Sequence, residues 1–302
     1  MVIIKNLNNK IKIKNSIIAI GNFDGLHLGH QKVLFQAKQK AKKNKLKLGV
    51  ITFEPVPVMF FNKKISNNKI NNLDQKLSYL KKLKIDFVCI IRFNKTFSNL
   101  TADQFIKKII YNYLGAKFIF ISKNFRFGKN RMGNVKKLND NEKKYLFKTI
   151  VTNPQKRKKN TISSTLIRKK ISLGKINEAN KLLGRPWAVI GKVMRGNQRG
   201  RRIGFPTCNL KLNDYILPKL GVYAVKVNIG HLQKNGIANV GFRPTFKGQD
   251  LLLEVNIFGL SKNLYKKIIS VNFIKFIRPE KKFKNIDELK VQINKDIIEA
   301  KK

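Results

Sequence analysis

Acidic side chains are scarce in this 302-residue chain: 16 Asp and Glu stand against 65 Lys and Arg, a formal charge of +49. Cysteine is scarcer still, with only Cys89 and Cys208, far apart and in apolar or strand-like surroundings. No second pair accompanies them, which excludes a disulfide framework and a cysteine-rich zinc site. Both are expected as buried thiols in a reducing compartment, and the expected location is cytoplasmic. Long apolar runs are also missing. FVCII (87–91) is far too short to cross a bilayer. The opening MVIIKNLNNKIKIKNSIIAIG breaks its apolar residues with lysine and asparagine, so neither a signal peptide nor a membrane partner is expected.

What is present reads as globular. Hydrophobic residues make up 42% and aromatics 10%, enough for two domains that each bury a core. The positive charge would ordinarily suggest a nucleic-acid partner. It is spread over the whole chain, however, and arrives with abundant asparagine and isoleucine, as in NKKISNNKINN (62–72), the pattern an AT-rich coding bias gives. Only clustering onto one face makes an electrostatic footprint. No specific nucleic-acid partner is therefore expected, although weak, salt-sensitive polyanion binding follows from the charge alone.

The first half alternates strand and helix. After SIIAIG (16–21), Val33, Leu34, Ala37 and Ala41 repeat at helical spacing and bury one stripe. LGVITF (48–53) reads as a buried strand; Leu73, Leu77 and Leu80 mark a helix; FVCIIRF (87–93) is a strand again. Thr101 and Gln104 make a capping box before FIKKIIYNYL, and KFIFI (117–121) follows as a strand. This alternation predicts an α/β domain, a Rossmann-like parallel sheet with helices on its faces. From Trp187 onward the pattern changes to short alternating runs separated by glycine and polar turns: AVIGKVMRG, GVYAVKVNIG, NGIANVGF, LLLEVNIF and IISVNFIKF. That spacing predicts an antiparallel sheet or small β-barrel. Ile286, Leu289, Ile293, Ile297 and Ala300 then give a helix to cover it. The boundary is expected near Gly184, with domains at 1–184 and 185–302.

Two of the three histidines, His27 and His30, fall within GNFDGLHLGH, where a strand gives way to a helix. Gly25 and Gly29 let the backbone approach a ligand, and the helix directs its free N–H groups and positive dipole end at the same place. Imidazoles there can donate hydrogen bonds to phosphate as charge shifts during displacement at an α-phosphate. A tight turn with two incidental histidines fits this stretch as well. The H-x-G-H pattern is similar to the signature of the nucleotidylyltransferase superfamily. TISSTLIRKK (161–170) supplies a second hydroxyl-rich, basic helix start: Ser163, Ser164 and Thr165 can cap and bind phosphate, and Arg168 can reach a triphosphate. An ordinary N-cap reads the same way. NFRFGKNRMG is an aromatic and basic loop suited either to stacking a planar ring or to surface packing.

The second half has its own candidates. Gly196, Gly200 and Gly204 alternate with Arg195, Arg199, Arg201 and Arg202, a basic loop that can fold over phosphates or remain a solvated turn. It is no ordinary P-loop. In FPTCNL, Thr207 and Asn209 lie two apart and face one side of an extended strand; their neutral oxygens suit Mg²⁺ whose charge is balanced by nucleotide phosphates, or form a plain polar face. Glu254 is the one acidic residue in LLLEVNIF; it shares a face with Leu252 and Asn256, beside apolar groups expected to raise its basicity.

GNFDGLHLGH, TFEPVP, NFRFGKNRMGN, ISSTLIRKKISLGKINEANKLLGRPW, GRRIGFPTCNL, GVYAV, NVGFRPTF, LEVNIF and IRPEKKF occur in the order seen in bacterial bifunctional riboflavin kinase/FAD synthetases, which this chain resembles from about Gly21 to its last helix. The resemblance implies an FMN adenylyltransferase domain followed by a riboflavin kinase domain in a six-stranded barrel. Riboflavin, FMN and ATP would be the small-molecule substrates and Mg²⁺ the cofactor; FMN and FAD would be products, not prosthetic groups. It places ATP of the first reaction on Gly21, Phe23, Asp24, Gly25, His27, His30, Ser163, Ser164, Thr165 and Arg168, with the two histidines catalytic, and the flavin on Asn124, Arg126 and Phe127. ATP of the second reaction falls to Gly191, Gly196, Gly200, Arg201, Gly204, Pro206, Thr207 and Asn209, the metal to Thr207 and Asn209. Glu254 would take the proton of the riboflavin 5′-hydroxyl. The chain departs from the family at Val56 (usually histidine), at Ser122 and Lys123 (glycine and an acidic residue), and at Asn134 (aspartate). Further departures are Asn256 (histidine) and Lys266 (glycine), and FGL (258–260) lacks an acidic residue. A chain with one activity, or an RNA-binding synthetase-like protein, would keep the histidine signature too. RNA recognition gives no reason for GFPTCNL and LEVNIF together.

Overall fold

The computed structural model describes residues 1–5, 13–62, 68–157, 160–195, 199–212, 215–245, 248–260 and 262–302. Two compact units emerge: Met1–Ile65 with Lys76–Ser163, and Ser66–Gln75 with Ser164–Lys302.

The first unit is built on six parallel strands: β1 (Val2–Ile4), β2 (Ser16–Ile20), β3 (Lys47–Glu54), β4 (Phe87–Arg92), β5 (Ala116–Ser122) and β6 (Lys148–Thr152), in the order β1-β4-β3-β2-β5-β6. β2 is buried at every position, as a strand covered on both faces must be, and its SIIAI sequence has no alternation to betray a wet side. Gly49 is required by packing: a Cβ there would lie 2.2 Å from the Phe87 ring. The helix Leu28–Asn44 buries Leu34, Ala37 and Ala41 of the expected stripe. Thr101 and Gln104 form the expected capping box, but after Phe105 the helix widens to a π-helix over Ile106–Tyr113. The chain runs outward from β2 through β3 to β4 and then returns to β5 on the other flank of β2. The carboxyl ends of β2 and β5 therefore border the switch point where open α/β sheets take their ligands. A two-stranded hairpin, β7 (Lys156–Arg157) and β8 (Asn160–Thr161), follows.

The second unit is an antiparallel sheet of β9 (Trp187–Lys192), β10 (Cys208–Lys211), β11 (Gly221–Ile229), β12 (Leu232–Thr245), β13 (Gly248–Ile257) and β14 (Ile268–Arg278), in the order β10-β13-β12-β11-β14-β9. A bridge between Met194 and Asn209, with the Met194 N–H donating to the Asn209 carbonyl at 2.9 Å, draws the two edges together into a nearly closed barrel. Register shifts in the β11–β14 ladder increase the bend that closure needs. Inside, the rings of Trp187 and Tyr223 lie 4.6 and 5.0 Å from that of Phe273.

Residues 68–75 belong to this barrel unit although they precede half of the parallel sheet. The Trp187 indole N–H donates to the Ile70 carbonyl at 2.9 Å, the Gln75 amide to the Ala188 carbonyl at 2.9 Å, and the Tyr215 hydroxyl to Gln75 Oε1 at 2.6 Å. The last helix, Ile286–Lys301, packs on β11, β12 and β14, but not through a dry apolar seam. Ile286 is 57% exposed, Leu289, Ile293, Ile297 and Ala300 are only half-buried, and the residue the helix buries fully is Asp296, in a bidentate pair with Arg278.

Candidate functional site

β2 ends at Ile20 and the chain turns sharply. Phe23 (φ 47°), Gly25 (φ 79°) and Leu26 (φ 40°) all take left-handed backbone, and the two side chains among them are fully buried, which is what holds so strained a turn. Gln31 fastens it from the helix side, its amide donating to the Leu26 carbonyl at 2.8 Å. His27 is the N-cap of Leu28–Asn44: the His30 backbone N–H donates to His27 Nδ1 at 3.3 Å. With Nδ1 accepting, the ring in its neutral form carries its proton on Nε2. The two imidazoles stack, centroids 3.7 Å apart and 17° between planes, with Phe23 5.2 Å from His30. Gly29 makes the stack possible, since a Cβ there would come within 3.1 Å of the His27 ring.

His30 carries the sharper signal. Its Nδ1 is buried and has no hydrogen-bond partner among the described residues. Burial first, then the charges of His27 and Lys76, hold its pKa well below 6.5, so the imidazole is neutral at physiological pH. An unsatisfied buried nitrogen costs about 1–3 kcal/mol, a cost removed when a ligand supplies the missing partner.

On the neighbouring strand, β5 delivers Asn124 and Arg126 to the same edge of the sheet, both exposed. Phe127 faces the other way: it is 8% exposed, packed on Phe105 and Phe125, and paired through its backbone with Gly133. It anchors the loop, leaving the exposed positions to meet a ligand. Gly21 and the buried Asp24 lie in the histidine turn. Ser163 belongs to the first unit, whereas Ser164, Thr165 and Arg168, at the start of the helix Ser164–Ser172, belong to the second. Arg168 Nε donates to the Asn68 carbonyl at 2.7 Å.

The barrel brings together a second set. Asn209 on β10, Glu254 on β13 and Asn239 on β12 are direct partners across three adjacent strands, so their side chains share one face. Leu253 and Val255 fill the core instead. The groups directly flanking Glu254 in the sheet are thus amides, not the apolar neighbours the strand sequence suggested. Thr207 is exposed just ahead of β10. A Cβ on Gly200 would sit 2.4 Å from the Phe205 carbonyl and 3.4 Å from Thr207 Oγ1, so this glycine lets the arginine segment Arg199–Arg202 fold down on FPT. Pro206 is held by Asn256, whose amide donates to its carbonyl at 2.8 Å. Gly191 packs on Leu210, Gly204 has φ 91°, and Arg201 is exposed. Gly196 lies outside the described residues.

Two family models divide the chain between them: FAD synthetase over residues 9–166 and riboflavin kinase over residues 183–302. The chain belongs to the bifunctional riboflavin kinase/FMN adenylyltransferase family. Proteins of that description from Buchnera aphidicola subsp. Schizaphis graminum and Haemophilus influenzae are 42% and 40% identical, each over 100% of this chain and 98% of its own. The one from Escherichia coli K12 is 37% identical over 94% of this chain and 91% of its own. A solved structure described as a macrolide-efflux protein from Streptococcus pneumoniae superposes with a TM-score of 0.88 at 32% identity, over 100% of this chain and 99% of that one. Efflux is said of that protein. Here no helix among the described residues is long and apolar enough to cross a membrane, and both matching models describe flavin enzymes.

Several departures from the family pattern have local explanations. Asn134 caps the helix Val135–Asp140, its Oδ1 accepting from the Lys137 N–H at 2.9 Å, a role that aspartate and asparagine fill equally. Val56 is buried at the start of Pro57–Phe61. Lys266 keeps the left-handed backbone (φ 64°) that a glycine would adopt without strain. Ser122 and Lys123 are exposed, and nothing in the structure explains them. Sequence reasoning passed over Asn239 and Lys76; only Asn239 left a trace, as a polar residue within an otherwise apolar strand.

Proposed function

We propose that residues 185–302 phosphorylate riboflavin to FMN with ATP and that residues 1–184 adenylylate FMN to FAD, releasing pyrophosphate. The observation that carries the adenylyltransferase half is the buried, unpartnered Nδ1 of His30 stacked on the helix-capping His27, at the carboxyl end of β2. ATP phosphates lie against this helix start, where the His27 Nε2–H and the neutral His30 donate to them. An FMN phosphate oxygen attacks the α-phosphorus, the bond to the β-phosphate oxygen breaks, and these donors stabilise charge moving onto pyrophosphate. Asn124 and Arg126, on the adjoining β5 edge, serve the flavin. Ser163, in the same unit, adds a phosphate contact.

In the barrel, Glu254 takes the proton from the riboflavin 5′-hydroxyl as that oxygen attacks the γ-phosphorus and ADP leaves. Gly200 and Arg201 keep the basic segment close above the phosphates. Asn209, buried and carrying a neutral oxygen beside the exposed Thr207, fits a hard cation already neutralised by nucleotide. Mg²⁺ bound by this pair would screen the ATP phosphates. Cytoplasmic placement agrees with two unpaired thiols whose burial pushes them up to about 12 (Cys89) and about 11 (Cys208), unreactive at neutral pH.

The decisive experiment incubates the purified chain with riboflavin, ATP and Mg²⁺ and separates the flavins. FMN should appear first and FAD after it. Absence of both overturns the reading; FMN without FAD overturns the adenylyltransferase half alone.

A further inference from the structure

β14 ends at Arg278, and the next two residues stay close to the barrel. They cross the start of β11 over Gly221 (φ 138°), where a Cβ would overlap the Arg278 carbonyl oxygen and lie 2.9 Å from Pro279 Cα. The Arg278 guanidinium steadies the crossing: it holds Asp296 and donates to the Pro279 carbonyl at 3.0 Å. The Glu280 carboxylate then comes down on β12. Gly241 leaves room for it, since a Cβ there would overlap Glu280 Oε1 and lie 3.1 Å from Cδ, and the Asn239 amide donates to the same oxygen at 3.5 Å. Lys281, Lys282 and Lys284 follow in the sequence, yet among the described residues Glu280 pairs with none of them. In a chain with 65 basic residues against 16 acidic, this carboxylate meets an uncharged amide two strands away. That amide stands next to Glu254: Asn239 and Glu254 are direct partners across β12 and β13, which puts their Cβ atoms about 4.5–5.5 Å apart on one face. With Nδ2 committed to Glu280, Oδ1 lies on the opposite side of the amide, and it has no hydrogen-bond partner among the described residues.

We propose that Glu280 is a positioning residue of riboflavin phosphorylation: by holding Asn239 Nδ2, it presents Asn239 Oδ1 as the acceptor for a second hydroxyl of the ribityl chain, beside the one whose proton Glu254 takes. Two acceptors on adjacent strands suit two adjacent hydroxyls of a polyol. Glu280 touches no reacting atom and acts through Asn239. When its carboxylate is gone the amide is free to rotate, and the hydroxyl next to the reacting one loses its fixed partner. This deepens the kinase reading and rests on it.

The test compares riboflavin with its 4′-deoxy analogue, which keeps the reacting 5′-hydroxyl and lacks its neighbour, through kcat/KM for phosphorylation by the full chain. A site built to bond a substrate hydroxyl discriminates against the analogue without it. The parent should prefer riboflavin by about tenfold, the worth of one hydrogen bond. Glu280→Ala should abolish that preference, chiefly by raising KM for riboflavin, and should handle the analogue as the parent does. Gly241→Ala fills the seat of the carboxylate while leaving Glu280 in the chain, and should act in the same way. Glu280→Gln, which keeps an acceptor for the Asn239 amide, should restore most of the preference. Adenylylation of supplied FMN should stay at the parent rate in all three, which shows that the chain is folded. Parental preference in either alanine variant overturns the proposal, and so does equal loss on both substrates, which would mark a packing role. A parent that does not distinguish the two flavins overturns it as well. If the parent phosphorylates neither flavin, the kinase reading itself is what fails.

Discussion

Asn209 and Glu254 face each other in register across β10 and β13, and Asn239 faces Glu254 from the other side on β12. A carboxylate flanked in the sheet by two uncharged amides suits a general base. Glu254→Gln preserves size and hydrogen bonding while removing the capacity to accept a proton. FMN production from riboflavin should fall by about a hundredfold to ten-thousandfold with little change in ATP affinity, while adenylylation of supplied FMN continues near the parent rate. Separate steady-state assays of the two reactions check this. Normal riboflavin phosphorylation would reduce Glu254 to a strand surface residue.

The histidine pair should show the reverse dissociation. His30→Ala removes a preorganised donor, and the expected loss in FAD formation from FMN is about a hundredfold to a thousandfold. Riboflavin phosphorylation should be nearly untouched. Equal losses in both reactions would show that the residue supports folding and not chemistry.

His30 also ties stability to pH. Its folded pKa is depressed, so the unfolded chain binds a proton that the folded chain refuses. The stabilisation is therefore fully present above the unfolded value, 6.5, and is lost progressively as pH falls below it toward the depressed folded value. Thermal unfolding followed from pH 7.5 downward should show a midpoint that drops below about pH 6.5. His30→Gln should flatten that slope. An unchanged slope would mean that other groups account for it.

The fold was readable where burial is uniform or strictly alternating. β2 to β5 are apolar runs because parallel strands are covered on both faces, and the barrel strands alternate because one face is core. β1 has three residues, too few for a pattern, and β6, KTIVT, is a half-exposed edge strand. The histidines were legible because they sit at a strand-to-helix junction with glycine beside them. Lys76 was not, being one lysine in LDQKLSYLKKLK, whose burial only tertiary contacts decide. Phe127 is a like case: an aromatic in a basic loop fits ring stacking or packing equally, and its enclosure by Gly133 and Phe105 is a matter of tertiary contacts.

The last helix offers the clearest case of a contact that sequence periodicity hid. Its residues at helical spacing mark a helix that covers the barrel, yet Asp296 is the buried residue, with both carboxylate oxygens taking bonds from Arg278 at 2.9 and 2.7 Å and Gln292 adding another at 2.9 Å. Removing one member of a buried pair leaves the other charge uncompensated and typically costs about 3–5 kcal/mol. Asp296→Ala should therefore lower the thermal midpoint of riboflavin kinase activity by several degrees and release the helix to proteolysis near 286. Because desolvating both charges already offsets much of their attraction, the double change Arg278→Met with Asp296→Leu should recover most of the loss. Failure of the double variant to recover, with the single variant impaired, would mean that Arg278 is needed in its own right, through its donation to the Pro279 carbonyl and its position over the Phe283 ring.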